Sequence, residues 1–151
     1  MDMKEFFRQL NEAEDETDFR VPEKGFHTNI ESDTVENKNY RKILFTGNHL
    51  QLGLMSIEAG EDVGEEVHPD TDQFFRVDEG SGEAMIDGKT YALKDGDAIV
   101  IPAGSKHNIT AGDEGIKMYT IYAPPHHKDK VIHKTKEDAE ADKTDEPPVG
   151  E

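Results

Sequence analysis

Between Tyr40 and Ala123 the apolar residues come in short runs, with polar residues alternating inside them and Gly or Pro in the gaps. Alternation of this kind marks strands with one buried face. It predicts strands over residues 40–46, 50–57, 72–77, 83–86, 90–93, 98–101 and 116–122. Gly47-Asn48 separates the first two as a tight turn. Asp87-Gly88 is the strongest hairpin signal in the chain, because both residues tolerate positive φ. Pro102 and Gly104 stop the run over 98–101, and Pro124-Pro125 stops the last strand. Many short strands with no long helix among them predict an all-β sandwich or barrel spanning residues 40–125.

The flanks read differently. Residues 1–39 form an N-terminal arm in which Met3, Phe6, Phe7 and Leu10 recur at helical spacing. That spacing predicts a helix over 3–13 whose apolar side docks on the barrel or on a second subunit, and the rest of the arm reads as loop. Residues 126–151 are polar and acidic and read as a mobile, partly disordered tail. Within it, Thr135-Lys-Glu-Asp138 resembles a capping box and predicts one or two helical turns over 136–142. A second possibility is that the tail folds back over the barrel mouth and lends it His126 or His133.

Composition narrows the function classes. Hydrophobic content is 33% over 151 residues, enough for one core but with little left for the flanks. The chain carries 34 acids against 17 bases, a formal charge of −17. That balance argues against nucleic acid and anionic membrane as partners, since phosphate contacts need clustered Lys and Arg. No apolar run approaches the roughly 20 residues of a membrane span, and the first residues lack the apolar core of a signal peptide. A cytoplasmic location is expected. The chain has no cysteine, which excludes a disulfide framework and thiolate chemistry.

Candidate chemistry concentrates between Gly60 and His107. Glu66 and His68 are two apart, so a strand aims both at one place. Gln73 shares a face with Phe75 and Val77, which should point inward. His107 follows the Pro102-Ala-Gly104 turn on a third segment. Two imidazoles and a carboxylate form the facial set of metals that keep positions open. Gln73 adds an amide oxygen, as a fourth ligand or as the holder of a water on the ion. Fe, Mn, Ni, Co and Zn all suit such donors. No dedicated general base stands out; Glu66 is the candidate if it is not a ligand. Lys106, Glu61, Asp62 and Glu65 read as solvated and His49 as a turn residue, while Met55, Phe75 and Met118 read as ordinary core, with lining of the pocket as the alternative. Tyr119 and Tyr122 lie on opposite faces of the last strand, so at most one points inward.

The spacing Gly60-x5-Glu66-x-His68-x4-Gln73-x6-Gly80 resembles the first motif of the cupins, and Gly96-x5-Pro102-x-Gly104-x2-His107 resembles their second. The 15 residues from Ser81 to Asp95 between them match compact single-domain members. The resemblance covers residues 40–123. It implies a double-stranded β-helix, or jelly-roll barrel, with a divalent metal in its mouth. It also implies a small-molecule substrate, as in the sugar-phosphate isomerases and dioxygenases of the family, or a non-catalytic sugar or metabolite site. A homodimer is expected from the family's habits and from exposed β edges. The chain departs from the pattern at two ligands. Glu66 stands where the family has His, and Gln73 where it has Glu. Ala111 stands where it has Asn, with Asn108 nearby. The two ligand changes offset each other in charge, since the set keeps one carboxylate.

Overall fold

The computed structural model describes residues 2–5 and 25–145. Residues 3–5 are helical. The remainder of the predicted arm helix, with Phe6, Phe7 and Leu10, lies outside the described residues. The elements are α1 (Ile30–Glu36), β1 (Arg41–Thr46), β2 (Gln51–Ile57), β3 (Asp72–Ile86), β4 (Lys89–Lys94), β5 (Ala98–Ile101), β6 (His107–Ala123), β7 (Ile132–His133) and α2 (Lys136–Ala141). The strands run in the order β4-β3-β6-β2-β1-β7, with β5 also on β3. All pairings are antiparallel. This is the cupin-type β-barrel that the strand pattern and the resemblance lead one to expect.

Two long strands carry the barrel. β3 has 15 residues and β6 has 17, whereas the sequence pattern breaks β3 near Gly80 and begins β6 only at Ile116. The difference has a physical cause. The ladder between them slips at Val77/Glu79 and again at Gly80/Gly82. A β-carbon on Gly80 would meet the Gly115 carbonyl oxygen at 2.1 Å, and Gly80 has a φ of +84°. These glycines let two strands bend past each other at a barrel corner. They punctuate the sequence like turns, yet the ladder continues through them.

Inside, strand parity places Met55, Ile57, Phe75, Val77, Ile109, Ile116 and Met118 in the core, each 2% exposed or less. Burying side chains of this size contributes about 1.5–3 kcal/mol apiece. At the β3–β4 connection Asp87 and Gly88 have φ of 47° and 85°, the backbone of a type I′ hairpin turn.

α1 is absent from the sequence reading. Its two apolar residues, Ile30 and Val35, are five apart and form no helical stripe. Local caps hold it instead. The Asn29 side chain accepts from the Ser32 N–H, and Lys117 Nζ donates to the carbonyls of Val35 and Asn37, each at 2.8 Å.

The mobile-tail reading of the residues after Pro125 needs correction. β7 pairs with β1, setting His133 opposite Arg41. The Ile43 N–H donates to the Val131 carbonyl at 2.9 Å. α2 follows with Thr135 as its N-cap, accepting from the Asp138 N–H as the capping signal predicts. The segment packs because its backbone completes the edge of β1, a main-chain interaction that polar side chains do not oppose. Residues 146–151 lie outside the described residues.

Candidate metal centre

The loop over residues 61–66 and the start of β6 form the frame of the site. The N–H of Glu66 donates to the His107 carbonyl and the N–H of His107 donates to the Glu66 carbonyl, both at 2.9 Å. Such a reciprocal pair sends both side chains to one side of the bridge. Val63 N–H donates to the Ile109 carbonyl and Ala111 N–H to the Glu61 carbonyl, extending the frame. The second-motif turn closes onto the first, as Gly104 N–H donates to the His68 carbonyl at 2.8 Å. Asn108 serves the frame rather than the pocket. Its side chain accepts from Gly64 N–H and donates to Asp62. Asp62 in turn holds Lys136 of α2 at 2.8 Å, so neither of these charged groups is simply solvated. Ala111 packs in the core.

Glu66, His68 and His107 converge as their spacing predicts. One ligand atom from each lies within 4.8 Å of the others. His68 Nε2 is 3.1 Å from Glu66 Oε2, and the two imidazole rings are 5.1 Å apart. His107 Nδ1 donates to the Ser105 carbonyl at 2.9 Å, which leaves the Nε2 lone pair as the ring's donor atom. Burial pushes the Glu66 carboxyl up, but the neighbouring His68, Arg41 and His107 outweigh it and hold it below the usual carboxylate range. Glu66 is therefore anionic at neutral pH.

Gln73 lines the same small cavity as Glu66 and His107. It is 4% exposed. Its Nε2 donates to Thr120 Oγ1 at 3.1 Å, while its Oε1 is buried without a partner. A buried amide oxygen left unsatisfied costs about 1–3 kcal/mol, and a cation in the cavity would satisfy it. Two imidazoles, a carboxylate and an orphaned amide oxygen fit a divalent ion. The remaining walls are Arg41, Met55, Val63, Phe75, Ile109 and Tyr122. Met118 is core but is not among the walls, and Tyr119 faces outward against Phe74. The cavity is about 10 Å³, room for roughly one water molecule. A larger groove of about 330 Å³ is lined by Lys38, Lys117, Lys134 and Lys136 together with Glu58, Glu61 and Glu137; its mixed charges gather no comparable donor set.

Three further groups at the mouth escape sequence reasoning or stand there only as an alternative. The His126 ring lies 4.3 Å from that of His68 and stacks at 5.7 Å on Tyr122. Burial, together with His127 and His68, lowers its pKa to about 3, so it is neutral. Gln51, fully buried, holds the segment that carries it. Its Oε1 accepts from the His126 and His127 N–H groups, and its Nε2 donates to the His127 carbonyl at 2.8 Å. His127 Nδ1 pairs with Asp145 at 2.8 Å, and His133 Nε2 with Asp142 at 2.9 Å. Residues 124–133 are thus a strap across the mouth, with His126 over the candidate ligands and His133 in the latch behind it. The third group is Arg41, whose signal was parity with Ile43 in the first strand.

This fold and this donor set define the class: the chain belongs to the cupin superfamily, and residues 53–122 match the Cupin domain family. It is 44% identical to BH2720 of Bacillus halodurans, whose solved structure superposes with a TM-score of 0.76 over 80% of this chain and 99% of that one. It is 43% identical over 125 residues to the uncharacterized protein YrkC of Bacillus subtilis (strain 168), covering 78% of this chain and 67% of that protein. The structure of KdgF from Halomonas sp. is similar at 26% identity and a TM-score of 0.58, over 68% of this chain and 96% of that one. Among the described residues no helix is long and apolar enough to cross a membrane.

Proposed function

We propose that the protein is a metal-dependent enzyme acting on a small polar metabolite. Glu66, His68 and His107 would hold a divalent transition-metal ion, with Gln73 as fourth ligand or as the holder of a water on the ion. The observation that carries this is the convergence of three donor atoms within 4.8 Å of one another beside the partnerless Gln73 Oε1. When bound, the ion supplies Lewis acidity at positions left open to substrate.

The chain's own residues do the rest. The Ser105 carbonyl fixes the His107 tautomer, and Arg41 helps keep Glu66 ionised. Neutral His126 and Tyr122 wall the mouth from water. With the strap in place the cavity admits about one water-sized group, so its size favours neither dioxygenation nor isomerisation of a sugar phosphate, and such an ion supports both.

A second reading is a non-catalytic cupin that binds a small molecule at a degenerate metal site; the covered mouth and the two altered ligand positions favour it. Metal analysis of protein purified without added metal separates the two. About one transition-metal ion per chain supports the enzyme. Less than about one-tenth equivalent, with no uptake on titration, refutes it.

A cytoplasmic homodimer belongs to the same proposal. Its support is the exposed Val100, 60% accessible on β5, a strand that pairs only with β3 among the described residues. Light scattering would give the mass in solution, and a monomer would remove the dimer.

A further inference from the structure

We propose that Arg41 is the anchor for a carboxylate, so that the substrate is a small organic acid; this rests on the metal site argued above. Arg41 is the first residue of β1 and shares the inner face with Ile43, both buried. It is 6% exposed and lines the cavity together with Glu66, Gln73, His107 and Tyr122. Its Nε has no hydrogen-bond partner. Among the described residues no carboxylate forms a salt bridge with it. The Tyr122 hydroxyl already meets the guanidinium, but the idle Nε–H of a buried guanidinium is costly to leave without a partner.

Charge balance points the same way. The carboxylates whose field reaches Arg41 are Glu66 and Asp145. Together they outweigh the guanidinium by one negative charge while the ion is absent. A divalent ion held by Glu66 would leave the buried set with one positive charge in excess. Two cations facing one cavity call for an anion between them. A carboxylate meets both needs, since its two oxygens match the planar fork of Nε and a terminal nitrogen. A neutral diol would leave the charge uncorrected. The Glu66 side chain, 36% exposed, marks the side on which the rest of the acid would emerge.

The test reads the Arg41 Nε–H signal by nitrogen-edited NMR in zinc-loaded and in metal-free protein, with zinc content measured separately. Formate, acetate and oxalate are added, with chloride, phosphate and glucose as controls. The expected result is a saturable shift of that signal by the carboxylates in the zinc-loaded protein. A carboxylate-induced rise in melting temperature should accompany it, weakened at least about tenfold by Arg41→Lys and lost in Arg41→Met, a loss typical of removing a charge-assisted pair. An Arg41 signal that no carboxylate moves, or that chloride or phosphate moves as strongly, overturns the proposal while zinc uptake leaves the metal site standing. A protein that takes up no zinc but whose Arg41 signal still responds to carboxylates refutes the metal site and keeps the anchor.

Discussion

Glu66 and His107 face each other across an isolated antiparallel bridge, joined by two reciprocal backbone hydrogen bonds of 2.9 Å. The pair ties the first motif to the second before any ion is present. Its side chains owe their common direction to main chain, not to a bound group. The donors are consequently preorganised, and ligand substitutions should change metal affinity far more than they change the fold.

His107→Ala is expected to abolish metal binding and Gln73→Ala to weaken it by about 10–100-fold, the range seen when a supporting group is lost. Glu66→Gln should be as severe as His107→Ala, because it removes the set's one anion. Competition titration against a chromophoric chelator measures all three. Equal loss from Gln73→Ala and His107→Ala would make Gln73 a full ligand.

The strap depends on Gln51, whose side chain makes four hydrogen bonds, to Thr46 and to the backbone of His126 and His127. Gln51→Leu leaves those backbone groups without partners and should cost about 2–4 kcal/mol. Exchange of the His126 and His127 amides should accelerate beyond the change at the Ile109 amide in the core. Uniform acceleration throughout would mean a global loss with no separate strap.

Acid should loosen the same region. Burial lowers the pKa of His126 to about 3; it also lowers that of His127, to about 4, where Asp145 partly offsets it. In the unfolded chain both protonate as pH falls through about 6.5. Between there and about pH 4 the unfolded state binds protons that the folded state does not, so stability declines as pH drops. The slope is at most about 1.4 kcal/mol per pH unit for each histidine. Urea unfolding of metal-free protein at about pH 7.5 and about pH 5 measures this, and equal midpoints would contradict it. Asp145 adds a further loss at lower pH, because its neighbours hold it below the usual carboxylate range despite its burial.

At the barrel corner, Gly80→Ala should destabilise by about 3 kcal/mol or more. The added β-carbon would meet the Gly115 carbonyl oxygen at 2.1 Å at a φ of +84°. Gly88→Ala, with no atom within 4 Å of its β-carbon but also at positive φ, should cost about 1–2 kcal/mol. Thermal unfolding of the two variants separates crowding from backbone strain.

Much of this was legible in the residues. Parity aligned Glu66 with His68 and Gln73 with Phe75, and Asp87-Gly88 announced its turn. Where the sequence misled, one signal had two physical meanings. Gly80 and Gly115 resemble turn residues but permit two long strands to cross. The polar stretch after Pro125 resembles a loose tail, yet β7 attaches by its backbone, which composition does not report. The covering role of His126 follows from that attachment and could be stated beforehand only as an alternative. Arg41 is different: its place beside Ile43 was readable, but a lone arginine in a strand carries no chemistry until the cavity around it is known.

The strap and the ligand frame come from separate stretches of chain. The frame closes on itself between residues 61 and 112, whereas the cover arrives from residues 124–145. Apart from the Asp62–Lys136 ion pair, the lid can therefore vary without disturbing the cage. Relatives that keep Glu66, His68, Gln73 and His107 but differ after Pro125 would retain the ion and exchange the guest. For engineering, the C-terminal segment is the place to graft a new selectivity, and a bulky fusion placed close behind Asp145 would be felt at the mouth of the barrel.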